Sequence, residues 1–202
     1  MDARCWPKHL GVAVNLSPMQ LSEPQLISTI VNALAMSGVA AQRLELEITE
    51  TVLMHDTEAN LAILHKLREL GVRIALDDFG TGDSSLNYRR SFPFDKIKID
   101  RCFVQDVKAR EQNRAIVRAV TGLAASFGMA TTAEGVEDEE QFAALRDHGC
   151  TAVQGYLFSR PIPAAQIPGR QLQLTLKSAK AAVQAHKCDA ARTLQSSKRR
   201  TA

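Results

Sequence analysis

The chain has 202 residues, of which 45% are apolar and 23% charged, a composition that suits one folded domain with a sizeable core. The sequence contains no run of the ~20 apolar residues that a membrane span needs. Residues 1–163 carry 17 Lys and Arg against 21 Asp and Glu, whereas residues 164–202 carry 8 against 1. The net charge of +3 therefore comes from a basic tail, and we expect no nucleic-acid partner for the domain itself.

Strand and helix patterns alternate along the chain. Runs of β-branched and apolar residues predict six strands, at 12–17, 44–50, 72–76, 96–100, 129–133 and 152–157. Helical periodicity predicts a helix after most of these strands, and four helices are expected to end at Gly38, Gly71, Gly128 and Gly149. This alternation is typical of βα units and a parallel sheet.

Six βα units are compatible with an open doubly wound sheet or with part of a closed eight-stranded barrel. Each predicted strand ends in a polar group, and the set is Asn15, Glu47, Asp77 with Asp78, Lys98, Glu134 and Gln154. In a barrel these strand ends converge on one mouth, whereas an open sheet spreads them along an edge. The pattern favours the barrel.

Two adjacent carboxylates, Asp77 and Asp78, follow a buried strand and precede Gly80. One aspartate there would be typical of a helix N-cap beside an Asx-turn. Two in a row favour a metal site, because paired acids at the end of a buried strand are costly without a cation or strong donors.

The converging side chains also indicate which metal and which chemistry to expect. Asn15, Glu47, Asp77 and Asp78 offer only oxygen ligands, which suit magnesium, manganese or calcium better than zinc. Two such ions about 4 Å apart would suit in-line attack on a phosphodiester.

Three further polar residues have two interpretations each. Lys98 could hold the attacking water or neutralise developing phosphorane charge, or it could simply pair with an acid inside the barrel. Glu134 could be a ligand or a base, or an acid near a helix N-terminus. Gln154 carries no signal alone, so the interpretation depends on all of these residues lying together.

Six segments resemble, in order, the signatures of the EAL-domain family. They are Val-Asn-Leu-Ser (14–17), Glu-Leu-Glu-Ile-Thr-Glu (45–50), Asp-Asp-Phe-Gly-Thr-Gly (77–82), Lys-Ile-Asp-Arg (98–101), Ala-Glu-Gly-Val-Glu (133–137) and Gln-Gly-Tyr-Leu-Phe-Ser-Arg-Pro (154–161). The resemblance implies a (β/α)8 barrel with one antiparallel strand. It also implies hydrolysis of cyclic di-GMP to linear pGpG with magnesium or manganese.

The resemblance further implies roles for individual residues. The implied metal ligands are Asn15, Glu47, Asp77 and Asp78. Lys98 would position the hydrolytic water, Glu134 would be a ligand or base, and Gln154 would support the water or the metal shell. Glu50 would anchor the loop 79–85, and a homodimer is expected to form through the 79–90 region.

The motif that names the family is missing from the chain. Only fourteen residues precede Asn15, so the Glu-Ala-Leu strand and a nearby arginine that grips the substrate phosphate have no counterpart. We therefore expect an incomplete barrel over 1–168 that lacks its first two strands, and a partly helical or disordered basic tail over 169–202. Hydrolysis should suffer more than binding, because one carboxylate of the metal shell is absent.

Three functional hypotheses follow from these observations. The first is a metal-dependent cyclic di-GMP phosphodiesterase, impaired in this chain. The second is a non-catalytic module that binds cyclic di-GMP or acts through protein contacts, and the third is an inert gene fragment. Four scattered cysteines, typical of reduced thiols, predict a cytoplasmic location.

Overall fold

The computed structural model of the protein describes residues 3, 6–50, 57–80 and 94–167. The predicted tail and most of the predicted dimer region lie outside these residues, and the proposed boundary at 168 stays a prediction. Residues 2–160 form one unit, which holds the whole sheet. A second unit contains 161–167, with a short 3₁₀ turn at Ala164–Gln166.

The described strands form one parallel sheet in chain order. They are β1 (Val12–Asn15), β2 (Leu44–Thr49), β3 (Arg73–Phe79), β4 (Lys96–Ile99), β5 (Ala130–Ala133) and β6 (Ala152–Val153). Each strand pairs in parallel with the next one along the chain. A doubly wound sheet reverses its order at a switch point, whereas this order is that of a barrel. The prediction of a partial barrel is confirmed: the sheet is a curled half-barrel.

Helices follow the strands, as expected for βα units. They are α1 (Pro18–Leu21), α2 (Leu26–Ser37), α3 (Thr57–Glu69), α4 (Arg101–Gln105), α5 (Glu111–Ser126) and α6 (Glu139–Asp147). Gly38 ends α2 in the left-handed region at φ 64°, and Asp138 and Gln141 form a capping box at the start of α6. The predicted ends of the four longer helices are confirmed. The short helices α1 and α4 were not predicted.

The two faces of the sheet differ in chemistry because side chains alternate along each strand. The outward face carries apolar side chains that pack against the helices in one core, and its most buried members are Leu46, Ile48, Ile74, Leu76, Ile97 and Ile99. Each such side chain stabilises the fold by about 1.5–3 kcal/mol. The concave face instead carries charged side chains, which leaves a polar surface inside the curl of the sheet.

The last strand is shorter than predicted. The apolar run suggested a strand over 152–157, but β6 ends at Val153. Gly155 lies against the backbone of Val136 so closely that a Cβ there would be 2.7 Å from its carbonyl carbon. The chain then turns, since Phe158 N–H donates to Gly155 O at 3.2 Å. Packing between the two loops therefore ends the strand that the residue pattern alone would continue.

Candidate functional site

The carboxyl ends of β1, β2 and β3 bring three of the predicted site residues side by side. Asn15 is the register partner of Glu47, and Thr49 is the register partner of Asp77. The ladder continues past the end of β1, where Leu16 N–H donates to Glu47 O at 2.8 Å. Glu47 and Asp77 are therefore positioned by regular strand pairing, while Asn15 lies exposed on the edge strand.

A bulge in β3 separates the two aspartates. Leu76 pairs with Ile97 and Phe79 with Ile99, so β3 has one residue more than β4 between these pairs. Asp78 adopts φ 55°, the one positive φ among the described residues other than glycine, and its N–H donates to Asp77 Oδ1 at 3.1 Å. The sequence placed the end of the strand at these aspartates, but the strand runs through both. The bulge sets both aspartates opposite Lys98, the one β4 residue between Ile97 and Ile99.

Lys98 lies at the centre of the site. Its Nζ is 2.7 Å from Glu47 Oε2, 3.1 Å from Asp77 Oδ2 and 2.7 Å from Glu134 Oε1. An ammonium has three N–H donors, and three carboxylates lie within 3.1 Å of this one. Side chains from β2, β3, β4 and the residue after β5 thus meet at one point on the concave face.

Burial sharpens the electrostatics of this cluster. The Lys98 side chain is 6% exposed, and burial disfavours its charge, but hydrogen bonds to Glu134 and Glu47 outweigh burial and raise its pKa above the usual value. Burial is also the largest influence on Glu134 and raises the pKa of this carboxyl against the effect of Lys98. The pKa values of Lys98 and Glu134 are both raised, as expected where three carboxylates share one ammonium and negative charge is in excess.

Asp78 belongs to the same electrostatic environment. Burial, followed by the charges of Asp77 and Asp100, raises the pKa of Asp78, and Lys98 lowers it by less. A raised pKa on a carboxyl means that its ionised form lacks sufficient compensation from positive charge or hydrogen bonds. The end of β3 is therefore a place where added positive charge would be favourable.

Glu134 and Gln154 are positioned by the loops that follow β5 and β6. Glu134 N–H donates to Ile99 O at 3.0 Å, and Gln154 N–H donates to Ala133 O at 2.8 Å, so both backbones extend the sheet ladder. Gln154 Nε2 lies 3.4 Å from Glu134 Oε1. The structure thus brings Gln154 to the rim of the cluster, next to the carboxylate that Lys98 also holds.

A second ion pair lies on the same face and was not predicted. Lys96 Nζ is 2.7 Å from Glu45 Oε1, two residues before Lys98 and Glu47 on the same strands. The signal was present in the sequence, because residues two apart on a strand share a face. Among the described residues Lys96 contacts one carboxylate, whereas Lys98 contacts three. Variants of the Lys96–Glu45 pair can therefore serve as controls for variants of the central cluster.

Glu50, the predicted loop anchor, does not join the cluster around Lys98. Its Oε2 is buried and has no hydrogen-bond partner within the described part of the chain. A buried carboxylate oxygen without a partner is costly, so this position requires a donor. The loop that Glu50 was expected to anchor lies mostly outside the described residues, and the anchoring role stays a prediction.

The donor set fits a hard divalent cation in its chemistry. The predicted ligands are the carboxylates of Glu47, Asp77 and Asp78 and the amide of Asn15, all oxygen ligands of the kind that magnesium and manganese prefer. In the described ranges, however, no three His, Cys, Asp or Glu side chains form a ready-made metal site. Lys98 occupies the point on which the carboxylates converge, so a cation would have to draw them away from the ammonium. The individual ligand and catalytic roles stay predictions.

Parallel βα units with polar side chains gathered at the carboxyl ends of the strands define a TIM-barrel-type protein whose site lies at the mouth. Residues 2–161 match the EAL domain family, so the chain belongs to that family. The predicted family membership is confirmed.

Among its relatives is the cyclic di-GMP phosphodiesterase NbdA of Pseudomonas aeruginosa, 44% identical over 79% of this chain and 20% of NbdA. The solved cyclic di-GMP complex of the P. aeruginosa MucR phosphodiesterase is 41% identical, with a TM-score of 0.73 over 78% of this chain and 64% of that one. A manganese and cyclic di-GMP complex of Klebsiella pneumoniae BlrP1 is 34% identical, with a TM-score of 0.69 over 75% and 39%.

The chain spans about a fifth of the length of the curated relatives it matches. No helix in the described ranges is both long and apolar enough to cross a membrane. The predicted cytoplasmic location is not tested by this finding and stays a prediction.

Proposed function

We propose that the cluster around Lys98 binds divalent magnesium or manganese, and that the chain uses it to bind cyclic di-GMP and hydrolyse one phosphodiester bond to give pGpG. The observation that carries this proposal is the meeting of Glu47, Asp77 and Glu134 on one ammonium at the mouth of a parallel half-barrel. Three carboxylates around one positive charge leave a local excess of two negative charges, which attracts a divalent cation.

Each residue has a chemical part in this proposal. Asn15, Glu47, Asp77 and Asp78 would hold the cations, which when bound polarise the phosphodiester group and offset its charge. Lys98 would orient water and neutralise charge on the phosphoryl oxygens. Glu134, which contacts both Lys98 and Gln154, would accept a proton from that water.

A second function, binding of cyclic di-GMP without hydrolysis, is favoured by one feature of the sequence. The tripeptide Glu-Ala-Leu, which carries a metal-binding glutamate in the family, does not occur in these 202 residues. In the 202-residue chain by itself, stabilisation of the transition state should therefore fall more than affinity for the ground state. The homodimer through 79–90 belongs to the same set of proposals and is tested by the molar mass of the chain in solution.

The test uses the purified 202-residue chain, its D77N variant and its E45Q variant. Manganese binding is measured by titration calorimetry, and so is cyclic di-GMP binding, with and without manganese. Formation of pGpG is measured by chromatography. We expect D77N to weaken manganese binding by about tenfold or more, because Asp77 lies in the central cluster. E45Q should bind manganese like the wild type, since Glu45 pairs only with Lys96 among the described residues.

The three readouts separate the candidate functions. Binding of cyclic di-GMP with no pGpG supports the non-catalytic module, whereas turnover comparable to that of an intact family member supports an active phosphodiesterase. A wild-type chain that binds neither manganese nor cyclic di-GMP contradicts both functions and supports an inert fragment.

A further inference from the structure

Thr132 is a buried polar residue without an assigned part in the site. It lies on β5 with 7% of its surface exposed, and its hydroxyl has no hydrogen-bond partner within the described part of the chain. A buried hydroxyl that forms no hydrogen bond destabilises the fold relative to an apolar group of the same shape. A threonine here is therefore unfavourable in the arrangement seen, and its hydroxyl remains available for another.

The register of the sheet places Thr132 next to Lys98. The two are register partners in the parallel β4–β5 pairing, and since neighbouring strands lie about 4.8 Å apart, their side chains are neighbours on one face. Thr132 also precedes Glu134 by two residues and so lies on the same face of its strand. The side chain of Thr132 thus neighbours that of Lys98, whose ammonium is in contact with Glu47, Asp77 and Glu134.

We propose that Thr132 is a positioning residue that accepts a hydrogen bond from Lys98 when a divalent cation draws carboxylates away from it. This inference rests on the proposed metal site. In the arrangement seen, the ammonium occupies the centre of the carboxylates, so bound cations must take over some of their oxygens. The buried ammonium then loses acceptors, and an unpaired donor on a buried charge is costly.

The neighbouring Thr131, on the opposite face of β5, has a hydroxyl that is hydrogen-bonded, in contrast to the hydroxyl of Thr132. Thr131 is 1% exposed, and its Oγ1 accepts from Thr151 N–H at 3.0 Å and lies 3.6 Å from Cys150 Sγ. One threonine hydroxyl is thus fully used in holding β5 to the segment before β6. The other hydroxyl, that of Thr132, has no partner among the described residues, and the packing of the strands does not explain this.

The experiment compares T132V, T132S and T131V in the full 202-residue chain. Valine keeps the shape of threonine and removes the hydroxyl, and serine restores it. Manganese affinity is measured by titration calorimetry, and resistance to urea is measured in EDTA. We expect T132V to lose about tenfold in manganese affinity, the effect of one hydrogen bond to a charged group, with unchanged or higher urea resistance without metal.

The controls make the inference falsifiable. T132S should bind manganese like the wild type, and T131V should lose urea resistance while keeping its manganese affinity. Equal manganese affinity in T132V and the wild type would overturn the inference while leaving the metal site intact. A T132V chain that unfolds in EDTA as readily as T131V would also overturn it, because Thr132 would then have a structural role. Absence of manganese binding in the wild type would overturn the metal site itself.

Discussion

Replacing Lys98 with methionine is expected to lower the free energy of unfolding of the metal-free protein by about 3–5 kcal/mol. Methionine is similar in length to lysine but uncharged, so the substitution leaves Glu47, Asp77 and Glu134 facing one another. Their side chains are only 13%, 15% and 21% exposed, which limits the relief that water can provide. The measurement is urea unfolding of K98M and wild type in EDTA, followed by circular dichroism.

K96M is the matched control for K98M. Lys96 lies on the same strand and face but pairs only with Glu45 among the described residues, and its side chain is 24% exposed. Its loss should therefore be smaller, no more than about 2 kcal/mol. Manganese should restore part of the stability of K98M, because a cation among the carboxylates supplies the missing positive charge. Equal losses in the two variants, or no effect of manganese on K98M, would show that Lys98 does not act as a cation for this cluster.

The fold could be predicted from the sequence because its signals are local. Alternating apolar runs, helical periodicity and glycines such as Gly38 each reflect the conformation of a short segment. Predicting a barrel instead of an open sheet required one further inference. Polar residues end each predicted strand, and in a parallel barrel these ends converge on one mouth. The strand-end residues themselves were found in this way, and the structure places Glu47, Asp77 and Glu134 within 3.1 Å of Lys98.

What the sequence could not provide depends on contacts between distant segments. The position of Lys98 among three carboxylates follows from strand register, which cannot be inferred from one amino-acid sequence. The bulge that gives Asp78 its positive φ depends on pairing with β4. Thr132 looks like an ordinary strand residue until its register partner is known, and the early end of β6 depends on the backbone of Val136.

Substitution of Gly155 by alanine should destabilise the protein by about 3 kcal/mol or more. A Cβ at this position would overlap the backbone nitrogen and oxygen of Val136 and lie 2.7 Å from its carbonyl carbon. Backbone atoms cannot move aside as a flexible side chain can, so the loops after β5 and β6 must separate. The hydrogen bond from Val136 N–H to Gln154 O, at 3.1 Å, would break with them.

The same separation should weaken the site, because Glu134 and Gln154 are carried by these two loops. We therefore expect G155A to show lower urea resistance and, in whatever fraction remains folded, lower manganese affinity than wild type. G122A is the control: Gly122 lies within α5 with nothing within 4 Å of an added Cβ, so alanine there should stabilise the helix by up to about 1 kcal/mol. If G155A unfolded and bound manganese like G122A, the contact with Val136 would not be what holds Glu134 and Gln154 at the mouth.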